Sequence, residues 1–271
     1  MRDRDRTNFS DLERRLVWLE AQTKSIREFV IPAYWSALDR LDERVADQQT
    51  VACLACGYEA EAPAYETRTD QCMFGGGQLL RLLCPDCGCV FGPMKYLRAP
   101  SELISADYSL LYSVYSEGDS TEDELRTFEL LKPSRDGVYL NWGSGAWSRT
   151  VEILRARGYD VWGYEPNADI SSPYVVRRRE EVSAKFDGIF SNNVIEHLFS
   201  PLAQFQDFKE LLKPYASMVH ASPCYEWSYA FTRFHVFFPL GQSPQRLADR
   251  AGFRVTAAVD DGSFQARVYS I

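Results

Sequence analysis

The sequence predicts an α/β protein: a mostly parallel sheet with one antiparallel strand, preceded by a small cysteine-rich module and by N-terminal helices. Three observations predict it. From Gly137 onward, short apolar runs alternate with helical patterns, which sets strands side by side through helical crossovers. Ahead of them lie two C-x-x-C pairs, at Cys53 and Cys56 and at Cys84 and Cys87. Ahead of those, apolar residues recur at helical spacing.

The elements follow in order. Over residues 8–50, Leu12, Leu16, Leu19, Ile26 and Val30 form a near-heptad stripe that Thr23 interrupts. Pro32 is expected to break or kink it. A second stripe runs through Tyr34, Leu38, Leu41 and Val45, among Arg, Asp and Glu. Two readings are open: helices that pack on the body, or a short coiled coil that makes a homodimer. The stripes are shorter than the three to four heptads that mark a sustained coiled coil. Residues 51–100 form the cysteine module, and 101–136 a mostly helical connector carrying Tyr108, Tyr112 and Tyr115.

The α/β domain spans 137–271. A strand at 138–141 leads through a glycine turn to a helix at 148–157, which Gly158 closes. Strands follow at 159–164, 186–190 and 218–221, with a helix at 202–212. Ser243-Pro244 starts a helix that Gly252 stops. Residues 253–259 and 264–271 close as a hairpin across 260–263, which supplies the antiparallel strand. Only 166–185 separate the second strand from the fourth, so the third must be short, near 174–176.

The chain has 271 residues, 45% of them apolar and 14% aromatic, enough for a sizeable core. A formal charge of −8 argues against a protein built to grip nucleic acid phosphates. No apolar h-region follows Met1 and no long apolar run occurs, so neither a signal peptide nor a membrane span is expected. An odd number of cysteines with C-x-x-C spacing reads as a reduced, cytoplasmic chain with metal.

Cys53-Leu-Ala-Cys56-Gly57 and Cys84-Pro-Asp-Cys87-Gly88 are near-identical knuckles. Each aims two thiolates at one point, and two knuckles complete a tetrahedral sulfur site suited to structural zinc. A redox dithiol would need one pair only. Cys72 and Cys89 have no partner at this spacing and are expected as buried or free thiols.

Residues 140–147 follow a strand and open a helix around Gly143-Ser144-Gly145, so backbone can approach a bound nucleoside closely. Glu165 stands at the end of the next strand, where a carboxylate can accept both hydroxyls of a ribose. Residues 186–198 then read FDGIFSNNVIEHL. With these motifs in order, 137–271 resembles the class I S-adenosylmethionine-dependent methyltransferases, a Rossmann-like fold. The stretch from Phe234-His235 to Ala251-Gly252-Phe253 is similar to that family's late helix. The cysteine module in front makes 51–271 similar to zinc-domain sugar methyltransferases. The resemblance implies S-adenosylmethionine at Asn141, Trp142, Gly143, Gly145, Glu165, Asn192 and Asn193. Two positions depart from it: Asn141 stands where many relatives have Asp, and Ala146 or Trp147 where they have a third glycine.

Methyl transfer to a sugar hydroxyl needs in-line geometry and a base for the hydroxyl proton. The candidates are His197, with Glu196 beside it, and then His235; His220 also lies near a strand end. A packing or capping role for His197 is the alternative. Tyr225, Glu226 and Tyr229 could line an acceptor pocket, or belong to the core and a surface loop. The Arg177-Arg178-Arg179 run reads as a solvated face. Three functions are therefore expected in order: methylation of a sugar oxygen (or carbon), methylation of another small molecule, protein or RNA, and a non-catalytic binding protein.

Overall fold

The structure is a computed structural model that describes residues 2–42, 50–74, 77–112, 115, 118–145, 149–166 and 172–271. Two helices open the chain, α1 (Arg2–Ser25) and α2 (Ile31–Asp42), joined by a π-helical turn at Ile26–Val30. The joint shows what Pro32 does. A proline ring has no N–H and would clash with the carbonyl four residues back. One widened turn meets that constraint without ending the helix: the Ile31 N–H bonds to the Ile26 carbonyl, five residues back.

The stripe on α1 does not pack on the body. Leu12, Leu16 and Leu19 are each about half exposed, as are Val17 and Trp18. The second helix does pack, through Ile31 and Trp35, both fully buried. Val45 and the side chains of Leu38 and Leu41 lie outside the described residues.

The cysteine module begins with a hairpin, β1 (Thr50–Ala52) and β2 (Glu59–Glu61). Next come β3 (Glu66–Gln71), β4 (Gln78–Leu83) and β5 (Val90–Phe91). Three helices connect onward: α3 (Met94–Leu97), α4 (Ser101–Tyr112) and α5 (Thr121–Glu129). The rest alternates, with β6 (Val138–Trp142), α6 (Arg149–Ala156), β7 (Asp160–Tyr164), β8 (Val175–Val176), β9 (Phe186–Asn192), α7 (Pro201–Leu211) and β10 (Leu212–Ala221). The chain closes with β11 (Phe237–Phe238), α8 (Ser243–Ala251), β12 (Arg254–Asp261) and β13 (Phe264–Ser270).

The main sheet has seven strands in the order β12-β13-β10-β9-β6-β7-β8. The five from β10 to β8 pair parallel, and β13 alone runs against them. This is the Rossmann-like sheet the alternation predicts. The third strand is the two-residue β8, where the short spacing placed it. Among the described residues no α-helix lies on either side of it. Alternate side chains serve opposite faces, as the pleat requires. Tyr139 and Phe190 pack with Phe128, Val151 and Leu154 of α5 and α6. Leu140, Ile189 and Met218 pack with Phe205, Phe208 and Leu247 of α7 and α8. Among the described residues, no helix is long and apolar enough to cross a membrane.

The module's own sheet, β11-β5-β4-β3, takes its last strand from beyond β10. Phe237 pairs with Phe91, and Phe238 with Val90. Arg81 on β4 is fully buried and donates to the carbonyls of Gly92, Ala230, Thr232 and His235. A buried guanidinium needs that many acceptors. It locks the segment leading to His235 onto the module.

Candidate active site and cysteine cluster

The glycine turn sits at the carboxyl end of β6, where open α/β sheets bind ligands. Gly143 and Gly145 have φ of 72° and 73°, which a side chain disfavours. Among the described residues a Cβ on Gly145 would meet nothing within 4 Å. The Gly145 N–H donates to the Glu165 carboxylate at 3.3 Å, joining the turn to the end of β7. Ala146 and Trp147 lie outside the described residues.

Asn141 is fully buried below this turn, and its Nδ2 donates to Glu124 at 2.9 Å. Asn141 Oδ1, Ser144 Oγ and Asn192 Nδ2 are buried polar atoms with no hydrogen-bond partner among the described residues. Such atoms are costly unless something completes them, at about 1–3 kcal/mol each. Their position at the ends of β6 and β9 fits a polar cofactor there. Asn193, at φ 54°, turns the chain out of β9 and is exposed. The Trp142 side chain lies in the core, against Tyr164 and Phe208, so only its backbone faces the turn.

Beyond β9 a short 3-10 turn, Ile195–His197, carries Glu196 and His197. His235 approaches from the loop before β11, with ring centroids 4.9 Å apart. Glu196, His197 and His235 each place one side-chain ligand atom within 4.8 Å of the others. The three residues nominated as catalytic are thus one cluster. His197 Nδ1 contacts the Phe234 carbonyl at 3.0 Å, and His235 Nδ1 the Tyr229 carbonyl at 3.0 Å. A carbonyl only accepts, so each Nδ1 carries the proton and each Nε2 is the basic atom. Burial, then neighbouring His197, depresses His235 to about 2 and keeps it neutral.

His220 is not part of this cluster. It is buried within β10, bonded to Ser191 at 2.7 Å and stacked on Phe208. Burial depresses it to about 3, so it is a neutral core residue. Tyr225 is likewise core, with its hydroxyl on that of Tyr269 at 3.0 Å, whereas Tyr229 is exposed. Arg178 and Arg179 pair with Glu181 and Asp207, the charged face expected of that run.

The four knuckle cysteines converge. Sγ atoms lie 3.6 Å apart for Cys53 and Cys87, and 3.5 Å for Cys56 and Cys84. All four lie within 4.8 Å of one another. Four sulfurs about 2.3 Å from a tetrahedral ion stand about 3.8 Å apart. The knuckles share one local fold: Gly57 and Gly88 donate to the Cys53 and Cys84 carbonyls, and both have positive φ. Cys72 and Cys89 are buried thiols outside the four-residue set. The cluster packs on the far end of the chain, where Gln242 N–H donates to the Cys87 carbonyl and Arg250 to that of Ala55.

The sequence model of one protein family, described as a methyltransferase domain, matches residues 122–258. The chain belongs to that family. The match runs from α5 through the glycine turn and the histidine cluster into β12. No curated protein sequence matches this methyltransferase. Its fold is similar to that of several solved structures. One is the Burkholderia thailandensis 1,6-didemethyltoxoflavin-N1-methyltransferase with bound 1,6-didemethyltoxoflavin and S-adenosylhomocysteine, at 14% identity over 76% of this chain and 98% of that one, TM-score 0.49. Another is a SAM-dependent methyltransferase from Archaeoglobus fulgidus, at 14% identity over 60% and 100%, TM-score 0.46. A third is CalO1, a methyltransferase in calicheamicin biosynthesis, at 10% identity and TM-score 0.43. There the likeness covers 62% of this chain and 58% of that protein's length. Residues 122–258 are therefore a methyltransferase domain.

Proposed function

We propose that this methyltransferase methylates a sugar hydroxyl, on a nucleotide sugar or a glycan end, with His197 as general base. The observation that carries the reading is the hydrogen bond from His197 Nδ1 to the Phe234 carbonyl, which makes Nε2 the proton acceptor. Glu196 and the neutral His235 border the same point and orient the acceptor. S-adenosylmethionine supplies the activated methyl group. The chain supplies the cradle at Gly143 and Gly145, the Glu165 carboxylate for the ribose, and polar atoms of Asn141, Asn192 and Asn193. The expected result is labelled methyl transfer to a nucleotide sugar, lost in His197→Ala. Transfer to some other class of small molecule would replace the sugar reading and leave the base assignment in place.

Cys53, Cys56, Cys84 and Cys87 are proposed to hold a structural zinc ion. The supporting observation is a closed set of four convergent sulfurs, with no open position for catalysis. A reducing compartment such as the cytoplasm suits seven unpaired thiols. The exposed stripe on α1, with Leu12, Leu16 and Leu19, is proposed as a homodimer contact, which light scattering of α1 variants tests.

A further inference from the structure

Glu124 lies on α5, well before the glycine turn in sequence, yet its buried carboxylate is tied to that turn. Oε1 accepts from Ser120 Oγ at 2.7 Å, and Oε2 from Asn141 Nδ2 at 2.9 Å. Burial raises the Glu124 pKa, and Thr150, in the first turn of α6, stands near enough to oppose that rise along with Ser120 and Asn141. One carboxylate therefore ties α5 to the end of β6, just ahead of the turn. Because a carboxylate presents only acceptors here, it fixes the Asn141 amide: Nδ2 faces Glu124 and Oδ1 faces away. That Oδ1 is buried and has no partner among the described residues. An acceptor left dry, backed by an acid, suits an incoming cationic donor.

We propose that Glu124 is a positioning residue of the cofactor site, which orients Asn141 and places a carboxylate behind it so that the pair receives the ammonium end of S-adenosylmethionine. The inference rests on reading this turn as the cofactor site. Asn141 then needs no charge of its own, because the Glu124 carboxylate stands behind its amide.

Calorimetry of the full chain with two ligands tests it: S-adenosylhomocysteine, which carries the ammonium, and methylthioadenosine, which lacks the amino-acid end. Glu124→Gln is expected to weaken S-adenosylhomocysteine about tenfold or more, the loss of a charge-assisted hydrogen bond, and methylthioadenosine less than about twofold. Asn141→Asp sets two carboxylates against each other and weakens binding too. Glu124→Gln combined with Asn141→Asp exchanges acid and amide, and is expected to return affinity to within about threefold of the parent. Unchanged affinity in Glu124→Gln, equal losses for both ligands, or a double variant no better than Asn141→Asp overturns the inference. Should Glu124→Gln fail to fold, the double variant decides: folded and binding supports the pairing, unfolded refutes it. A parent that binds neither ligand overturns the cofactor reading itself, and this inference with it.

Discussion

Arg233 and Asp107 form a bidentate ion pair that is almost wholly out of water. Nε and Nη2 of Arg233 reach the carboxylate at 2.8 and 2.7 Å, with the two side chains 0% and 1% exposed. The pair anchors α4 to the segment carrying Phe234 and His235, and the Arg233 guanidinium also lies over the Trp35 ring at 4.5 Å. Removing one partner leaves a buried charge uncompensated. Asp107→Ala is expected to lose about 3–5 kcal/mol of stability, read from urea unfolding. Loss of under about 1 kcal/mol would mean the pair is surface-like in effect.

The cysteine cluster makes a prediction about metal. The purified protein is expected to carry about one zinc per chain. Cys84→Ser, or a chelator, is expected to remove it and lower the melting temperature, since metal affinity becomes folding free energy. The effect should spread past the module, because β11 and the Gln242 and Arg250 contacts bind it to the catalytic sheet. Full stability at less than about half an equivalent of metal would contradict a structural zinc site.

A pH dependence follows from His220. Its partners are Ser191, Phe205, Phe208 and Tyr269, none of them charged at neutral pH. Burial holds it neutral down to about 3, whereas an unfolded histidine takes a proton near about 6.5. Between those values the unfolded chain binds more protons, so stability rises with pH. The contribution is complete above about pH 6.5 and is lost as pH falls toward 3, by at most about 1.4 kcal/mol per pH unit. In His220→Gln that slope is expected to shrink by about one proton in urea titrations at several pH values. An unchanged slope would show that His220 titrates in the folded protein.

Turnover tests the base. His197→Ala is expected to lower kcat by about 10²–10⁴-fold while leaving S-adenosylhomocysteine affinity within about threefold. His197→Ala with full turnover would move the base elsewhere in the cluster, His235 first.

The sheet and the knuckles were legible because each depends on local pattern. Short apolar runs mark β6 and β9, and the scarcity of residues between β7 and β9 forecasts the two-residue β8. The histidine cluster was legible residue by residue, from motif order. What escaped were contacts between distant segments. Nothing near Arg81 or Arg233 marks them as buried, since a charged side chain goes inside only when remote carbonyls or an acid await it. Glu124 reads as an ordinary acid in the first turn of a helix until Asn141 is seen against it. His220 and Trp142 mislead for the opposite reason: motif position favours the site, while packing against Phe208 draws both side chains into the core.

The turn at Gly143 and Gly145, with Glu165, is proposed to bind the cofactor of a methyltransferase. Titration calorimetry with S-adenosylhomocysteine tests it most directly. One site per chain is expected, with a dissociation constant of about 1 μM–1 mM, weakened about tenfold or more in Glu165→Ala. No binding heat at millimolar ligand, or unchanged affinity in Glu165→Ala, would contradict it.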